Sequence, residues 1–410
     1  MSSVDVVVTG VGATTPLGGD VASTWDGLLA GRSGVSTLDA DWVHKYELPV
    51  QIAAQLKVEP TEILPRVEAR RLDRSEQVAM VASRQAYADA GLDENAVDPE
   101  RLAVIIGTGI GGALTLLAQD DLLETAGLRK VSPLTVPMLM PNGPAAHVGL
   151  WAKARAGVHA PVSACASGAE AIAWAYRMIR SGEADVIIAG GAEACITGIT
   201  MAGFAQARTM STRNNEPEKA SRPFDGERDG FVLGEGAGVV VLERADHAKA
   251  RGAKVYGRLA GIGTSSDSHH ITAPDPEGEG QRRAIQAAMR SGELSASDIG
   301  HVNCHATSTP VGDTIESIAI HRAIGDHPLL TAAKGSLGHL LGASGAVAAI
   351  ATVLSVRDDV IPPTANLENP DPAVLHEVVA GQPRKVELKA AITDSFGFGG
   401  HNVALAFTKA

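Results

Sequence analysis

The sequence predicts an α/β protein made of two related halves, and three observations support this. Runs rich in β-branched and aliphatic residues alternate with alanine-rich stretches of helical character along the 410 residues. Several runs are apolar at nearly every position, as expected of strands covered on both faces. The stretch "ASGAEAIA" (166–173) resembles "ASGAVAAIA" (343–351). We therefore expect two halves, at about 1–250 and 251–410, whose helices pack against each other.

Eight strands are predicted, in the order of the chain. They are "VDVVVTG", "RLAVIIG", "ADVIIAGG", "AGVVVLE", "KVYGRLAGIG", "DIGHVNCH", "AAITDS" and "NVALAF". The two halves also end alike, because "FVLGEGAGVVVLE" (231–243) loosely matches "FGFGGHNVALAF" (396–407). The polar, proline-bearing stretch 207–230 predicts an inserted loop before the last strand of the first half.

Composition excludes several classes of protein. A formal net charge of −12 argues against a general nucleic-acid binder. The three cysteines, Cys165, Cys195 and Cys304, form no CxxC pair, so neither a disulfide framework nor a zinc site is predicted. This cysteine usage fits a cytoplasmic protein, and the opening "MSSVDVVVTGVG" has no signal-peptide character.

One stretch has the length of a membrane span. Residues 337–356 contain no Asp, Glu, Lys or Arg over 20 positions. The stretch nevertheless holds His339, Ser344 and three glycines, and it lacks an aromatic belt. We expect a buried core helix and no membrane insertion.

Two glycine-rich loops imitate nucleotide-binding motifs. Gly107, Gly109 and Gly112 satisfy GxGxxG after a predicted strand. A dinucleotide site also needs a helix and then a second strand, but "ALTLLAQDDLLETAG" runs directly into "LRKVSPLTVPM". In "GVGATTPLGG", Thr15 replaces the third glycine. No nicotinamide or flavin cofactor is predicted.

The stretch "VSACASG" (162–168) is the candidate nucleophilic site. Cys165 lies in a predicted tight turn just before a helix that begins at about Ser167. A buried structural thiol is the alternative interpretation. A helix N-terminus lowers the pKa of a thiol and favours the thiolate, so the sequence predicts an activated nucleophile.

Two histidine motifs in the second half supply candidate partners for that thiol. "HVNCHATSTPVGD" (301–313) carries His305 near the end of a strand, and "KGSLGHLLGASG" (334–345) places Lys334 five residues before His339. His301 and His305 fall on a strand, where their side chains would lie far apart, so no metal site is predicted.

Together, Cys165, His305, Lys334, His339 and the terminal "SFGFGGHN" resemble the β-ketoacyl-acyl-carrier-protein synthases, the condensing enzymes of the thiolase-fold superfamily. The resemblance covers essentially the whole chain, including "MSTRNNEPEKASRPFDGERDGFVLGEGAG". It is strongest to the elongation-type enzymes, which use a Cys, His, His triad. The resemblance implies a thiolase fold, in which two pseudo-symmetric halves form a five-layered αβαβα sandwich.

The resemblance also implies the roles of the central residues. Cys165 would carry the acyl chain taken from acyl carrier protein, and His305 and His339 would stabilise the enolate formed from malonyl-carrier protein. Lys334 would support the second histidine. The backbone N–H groups of Cys165 and Phe398 would form the oxyanion hole, and Phe398 would gate the malonyl side.

Further residues match family positions of lesser importance. The supporting residues implied are Glu316, Asp313, Thr307, Thr309, Phe396, Gly397 and Gly399. Ile110 matches a position that lines the acyl tunnel, although plain core packing is the alternative. The basic residues implied to face the acidic carrier protein are Arg70, Arg71, Arg129, Lys130 and Arg208, and a solvated surface charge is the alternative for each.

Five positions depart from the family pattern. Ala306 stands where the family commonly has glycine, Asp394 where it has asparagine, and His401 where it has threonine. Gly335 and Ser336 differ from the residues that commonly follow the lysine, but the spacing from Lys334 to His339 is kept. These positions border the triad and leave its three residues intact.

Three other functions remain open from the sequence. A ketosynthase of a type II polyketide or other specialised pathway would have the same triad. A non-catalytic chain-length-factor-like subunit would typically lack the cysteine. A thiolase acting on coenzyme A would need Cys304 as its base. The resemblance implies a homodimer that binds acyl- and malonyl-loaded carrier protein, with no bound cofactor or metal.

Overall fold

The computed structural model describes residues 4–93 and 96–410. Its strands are β1 (Val6–Thr14), β2 (Ser36–Thr37), β3 (Ile52–Ala53), β4 (Leu102–Gly107), β5 (Gly157–His159), β6 (Val186–Glu193), β7 (Gly236–Arg244), β8 (Gly257–Ser266), β9 (Ile299–Asn303), β10 (Leu329–Thr331), β11 (Val360–Ile361), β12 (Arg384–Lys385), β13 (Ala390–Gly397) and β14 (His401–Thr408). Its helices are α1 (Val21–Leu29), α2 (Asp41–Lys45), α3 (Pro60–Ile63), α4 (Arg66–Ala69), α5 (Arg74–Asp89), α6 (Ala113–Ala126), α7 (Thr135–Leu139), α8 (Gly143–Ala152), α9 (Ser167–Arg180), α10 (Gly198–Gln206), α11 (Ala245–Ala250), α12 (Glu279–Ser291), α13 (Pro310–Ile324), α14 (Lys334–Leu337) and α15 (Ser344–Asp358).

The large sheet repeats one topology twice. Its order is β5-β4-β6-β7-β1-β8-β14-β13-β9-β10. Within each half, the five strands of the large sheet, numbered along the chain, follow the spatial order third, second, fourth, fifth, first. The halves join where Val6–Val8 of β1 pairs antiparallel with Gly257–Leu259 of β8. The repeat detected in the sequence therefore reflects two halves of identical strand order.

Helices cover both halves and separate them. Helices α9 and α15 contact each other, and each also contacts strands of both halves. Helices α5 and α8 cover the outer face of the first half, and α12, with α13 packed on it, covers the second. The result is the predicted five-layered αβαβα sandwich.

All eight predicted strands are present in the large sheet, and its two short strands were missed, as were the two-residue strands β2, β3, β11 and β12. β5 and β10 have three residues each and form the two outer edges of the sheet. A strand of three residues is too short to show a period of two in the sequence. The predicted loop 207–230 is largely irregular, with one short 3₁₀ turn at Pro217–Lys219.

Glycines let each half bring its first strand close to its outer helix. A Cβ atom on Gly12 of β1 would lie 2.0 Å from the carbonyl oxygen of Ala82 in α5. A Cβ atom on Gly263 of β8 would lie 1.9 Å from the carbonyl oxygen of Ala284 in α12. Gly10 and Gly12, the two glycines that made "GVGATTPLGG" look like a nucleotide-binding motif, thus allow close packing against α5.

The apolar span of the second half is a core helix. Among the described residues, Leu341–Asp358 is the one helical stretch long and apolar enough to cross a membrane, and 89% of it is buried inside the fold. Its helix α15 lies in the central layer, where strands of both halves contribute apolar contacts. The prediction of a buried helix is confirmed.

Replacing Gly191 by alanine is expected to destabilise the central layer. A Cβ atom there would lie 2.3 Å from the Gly342 carbonyl oxygen and 2.8 Å from Gly168 Cα, so backbone must move. We expect a loss of about 1–3 kcal/mol in the free energy of unfolding, measured by urea denaturation.

Gly203→Ala is the matched control, because nothing lies within 4 Å of its Cβ position in helix α10. Alanine there should stabilise by up to about 1 kcal/mol. Equal stability of Gly191→Ala and the wild type would contradict the close contact.

Candidate active site

Cys165 lies in the turn that introduces the central helix of the first half. A 3₁₀ turn begins at Ala164 with a φ of 51°, and α9 begins at Ser167. The second half repeats this arrangement, since a 3₁₀ turn begins at Leu341 with a φ of 44° and α15 begins at Ser344. The predicted turn and helix start are confirmed.

A histidine from the second half lies against the thiol. Cys165 Sγ is 3.0 Å from His339 Nε2. On the other side of the ring, His339 Nδ1 is 3.0 Å from Ser344 Oγ. Cys165 and His339 are only 8% and 3% exposed. With the thiol donating to Nε2, Nδ1 carries the ring proton and donates it to the serine hydroxyl.

Burial makes the thiol a weaker acid than the sequence predicts. It raises the pKa of Cys165 to about 11. The charge of Lys334 and the N–H groups of Phe398 and Cys165 act in the opposite direction, with a smaller total effect. The prediction that the helix terminus lowers this pKa is therefore wrong, because loss of hydration outweighs the helix N-terminus. Attack by Cys165 requires removal of its proton.

His305 completes a group of perpendicular rings. Its ring centroid is 5.5 Å from that of His339 and 5.8 Å from that of Phe396. Burial and the nearby charge of Lys334 lower the pKa of both histidines well below the usual value. Both imidazoles are consequently neutral at physiological pH and donate one N–H each.

A buried carboxyl pair holds the loop of His305. The His305 N–H lies 2.7 Å from Glu316 Oε1 and 2.8 Å from Asp394 Oδ1, and the Ala306 N–H donates to Glu316 Oε2 at 2.7 Å. Burial raises the pKa of Asp394 to about 6 and that of Glu316 well above its usual value. Both carboxyls accept from the same N–H and therefore lie close together, and with one proton between them they carry a single negative charge that offsets the charge of buried Lys334.

Asp313 acts away from the reacting atoms. Its carboxylate accepts hydrogen bonds from the Ser308 N–H at 3.1 Å and the Phe224 N–H at 2.9 Å, and Arg228 lies 3.5 Å away. These contacts fix the loop that follows His305 against the inserted loop. Asp313 is thus a structural residue next to the site.

One cavity of about 640 Å³ reaches the sulfur and both imidazoles. Its wall includes the following sequence-predicted residues: Ile110, Arg208, Thr307, Thr309, Glu316, Phe396, Gly397 and Phe398. A Cβ atom on Gly397 would lie 2.5 Å from the Ser163 carbonyl oxygen, so this close approach requires glycine. Gly399 lies in the adjacent turn with a φ of 90°.

The predicted docking residues are all exposed, but only one borders the cavity. Arg208 lines its wall. Arg70 and Arg71 follow α4, and Arg129 and Lys130 lie in the short turn after α6. Of the five positions that depart from the family pattern, His401 is exposed. The other four are buried: Ala306, Gly335, Ser336 and Asp394.

Sequence reasoning missed several residues of the site. Phe231 contacts the His339 ring edge to face, with centroids 5.4 Å apart, and Phe204 packs on Phe231 at 5.2 Å. Ser344, which is hydrogen-bonded to His339, was missed too. Phe231 lies within the quoted motif "DGFVLGEGAG", which was the available signal, whereas spacing gives no cue to Ser344 as a partner of His339.

No three His, Cys, Asp or Glu side chains converge as around a metal ion within the described ranges.

Comparison with known families matches residues 3–248 to "Beta-ketoacyl synthase, N-terminal domain" and residues 256–368 to "Beta-ketoacyl synthase, C-terminal domain". The chain belongs to the β-ketoacyl synthase family. Both matches lie on the halves that contribute Cys165 and the two histidines.

Curated relatives of this β-ketoacyl synthase share its full length. It is 50% identical to 3-oxoacyl-[acyl-carrier-protein] synthase 2 of Mycobacterium tuberculosis over 98% of this chain and 96% of that protein. It is 43% identical to the protein of the same name from Vibrio harveyi, over 100% of this chain and 99% of that one.

Solved structures of other β-ketoacyl synthases share its fold. The enzyme from Burkholderia phymatum superposes with a TM-score of 0.92 at 36% identity, covering 99% of this chain and 100% of that one. A type II polyketide ketosynthase, in the AntDE:AntF complex with its acyl-carrier protein, superposes with a TM-score of 0.92 at 28% identity over 100% of both chains. The thiolase-type fold is thus confirmed.

Alkylation of Cys165 by iodoacetamide should accelerate about tenfold per pH unit between pH 7 and 9, because the thiolate fraction rises that way below a pKa of about 11. Rates followed by intact mass, with Cys165→Ala as the blank, measure this. Lys334→Met should slow alkylation, since the charge of Lys334 lowers the thiol pKa. A rate independent of pH above 6 would show a preformed thiolate instead.

Proposed function

We propose that the protein condenses an acyl chain held on Cys165 with malonyl-acyl carrier protein, giving 3-oxoacyl-acyl carrier protein and CO₂ in fatty acid chain elongation. The observation that carries this proposal is the meeting of the Cys165 sulfur, His339 and His305 at one cavity. The full-length relatives named 3-oxoacyl-[acyl-carrier-protein] synthase 2 support it.

In the first step, the thiol is acylated. His339 Nε2 takes the proton from Sγ as the sulfur attacks the thioester carbonyl of the acyl carrier protein. The backbone N–H groups of Cys165 and Phe398 lower the pKa of the thiol, so they favour negative charge at this point and suit the oxyanion that forms beside the sulfur. The carrier's thiol leaves with the proton from His339.

In the second step, malonyl-carrier protein loses CO₂. The bond to its carboxylate breaks, and the electron pair moves onto the thioester oxygen as an enolate. His305 and His339 donate N–H groups to that oxygen, and because both are neutral they do so without a charge to desolvate. Ser344 permits this, since its hydroxyl accepts from Nδ1–H or donates to Nδ1 and so pairs with either tautomer of His339.

In the third step, the enolate carbon attacks the acyl-Cys165 carbonyl. A carbon–carbon bond forms, the carbon–sulfur bond breaks, and the released thiolate takes up a proton from solvent, which restores the resting thiol. The buried pair Glu316 and Asp394 holds His305 in place throughout, through the backbone N–H that both carboxyls share.

The alternatives have less support. Relatives named 3-oxoacyl-[acyl-carrier-protein] synthase 2 are 42–50% identical to this chain, whereas the polyketide ketosynthase is 28% identical. The chain keeps Cys165, unlike a chain-length-factor-like subunit. Cys304, the base that a thiolase would need, is 1% exposed and is absent from the lining of the cavity.

We further propose a homodimer formed through the first-half sheet. Its edge strand β5 has a single neighbour, β4, so one row of backbone groups is free to pair. Large apolar side chains are exposed along the neighbouring elements, with Leu128 at 79% and Leu150 at 77%. Others are Leu116, Val136, Val158 and Trp174.

Substrates would reach the site on the phosphopantetheine arm of acyl carrier protein, so the proposed reaction needs no bound cofactor or metal. A cytoplasmic location fits three buried cysteines without a disulfide among the described residues. The basic residues Arg70, Arg71, Arg129, Lys130 and Arg208 would attract the acidic carrier locally, despite the net charge of −12.

Incubating the pure protein with acyl-carrier proteins of several chain lengths and malonyl-carrier protein should give 3-oxoacyl-carrier protein, detected by intact mass. Cys165→Ala should lower the rate at least about 10³-fold, because the nucleophile is lost. Folded wild-type protein that no carrier-bound substrate acylates on Cys165 would overturn the proposal and favour a partner subunit.

The double variant Arg70→Glu with Arg71→Glu should raise the KM for acyl carrier protein about tenfold with little change in kcat, since exposed charges steer association. Steady-state kinetics at low and high salt measure this, and high salt should shrink the difference. Arg290→Glu with Lys385→Glu, both exposed in the second half, is the control with the same change in charge. Equal effects of both changes would contradict a docking role.

A further inference from the structure

The glycine-rich loop that imitates a nucleotide motif binds a carboxylate of the protein itself. Glu193, at the end of β6, is fully buried. Three successive N–H groups donate to it: Gly109 to Oε2 at 2.7 Å, Ile110 to Oε1 at 3.2 Å and Gly111 to Oε1 at 3.4 Å. Successive N–H groups that converge in this way form an anion-binding nest.

Two further donors complete the shell of Glu193. Thr108 Oγ1 donates to Oε1 at 2.9 Å, and the Gly342 N–H donates to Oε2 at 3.1 Å. Four of the five partners are backbone N–H groups, which can only donate and therefore favour the carboxylate. They act against burial, which raises the pKa of Glu193.

These contacts connect the two halves of the protein at the cavity. Ile110 belongs to the first-half loop, and Leu341 directly precedes Gly342 in the second-half turn. Both Ile110 and Leu341 line the cavity that reaches Cys165. Glu193 itself makes no hydrogen bond to Cys165, His305 or His339 among the described contacts, so it touches the wall and not the reacting groups.

The fit around the carboxylate is tight. A Cβ atom on Gly109 would lie 2.7 Å from Glu193 Oε2, and one on Gly342 would lie 2.9 Å from the same oxygen. The Gly342 Cβ position is also only 2.5 Å from the Gly109 nitrogen. Glycine is thus needed on both sides of the bridge, which gives the GxGxxG-like loop a structural purpose.

We propose that Glu193 is a positioning residue that fixes the cavity wall formed by Ile110 and Leu341 and thereby sets the enzyme's preference for acyl chain length. This inference rests on the proposed use of the cavity as the acyl pocket. The buried Glu193 side chain holds the Gly109 loop of the first half and the Gly342 turn of the second half at a fixed separation.

Glu193→Gln tests the proposal with little change in size. An amide cannot accept all five hydrogen bonds, so the wall should loosen. We expect the ratio of kcat/KM between C16 and C8 acyl-carrier proteins to move at least about threefold toward unity, since pocket contacts discriminate by single methylenes. Decarboxylation of malonyl-carrier protein should stay within about twofold of wild type.

A second readout reports the charge at the same position. The Glu193 carboxylate raises the pKa of Cys165. Iodoacetamide at pH 8 should therefore alkylate Cys165 faster in the Glu193→Gln variant than in the wild type. Glu243→Gln is the matched control: Glu243 is equally buried, is bound by Thr9, His247 and Arg251, and pairs with the opposite end of β6. It should leave the chain-length ratio unchanged.

An unchanged ratio in folded Glu193→Gln would overturn the proposal, as would the same shift in Glu243→Gln or a parallel loss of decarboxylation. If Glu193→Gln fails to fold, the same measurement is made on Thr108→Val, which removes one hydrogen-bond donor to Glu193. A smaller shift in the chain-length ratio is then expected, and an unchanged ratio would again overturn the proposal. A wild-type protein that performs no condensation would refute the proposed function instead, so the two failures are distinguishable.

Discussion

Contact between α9 and α15 in the central layer is the constraint on which the site depends. Each helix begins in a 3₁₀ turn, and the two turns face each other across the join of the halves. Small residues make this possible: a Cβ atom on Gly168 would lie 2.7 Å from the Gly342 carbonyl oxygen. The approach brings Cys165 within 3.0 Å of His339, residues separated by 174 positions in the chain. Without it, neither half contains a complete site.

Burial at this join decides the protonation of the site. It raises the pKa of Cys165 and lowers those of His305 and His339, so the resting groups are neutral. A neutral imidazole can accept the thiol proton and later donate to an enolate, which a permanent ion pair could not do as readily. Lys334 supplies a positive charge, and the Glu316–Asp394 pair offsets it with one negative charge.

The two halves share one architecture but contribute different groups to the site. The serine that begins each central helix illustrates the divergence. Ser167 donates to the Ala164 carbonyl and accepts from the Ser163 N–H, and so closes the nucleophile's turn. Ser344 bonds the ring of His339 instead. Glu193 does not contact the reacting groups, but it links the first-half glycine loop to the second-half turn through the N–H groups of Gly109 and Gly342.

The sequence by itself determined the α/β class, all eight long strands, the start of α9 and the burial of α15, because these follow from local periodicity and turn chemistry. It also named Cys165, His305, Lys334 and His339 through family resemblance. Only the tertiary structure decided the pKa of Cys165, since hydration loss depends on neighbours from the whole fold, and only it identified Glu193 as the partner of the glycine loop. Edge strands β5 and β10 were invisible for the same reason: three residues become a strand through pairing with β4 and β9, and pairing is a long-range contact.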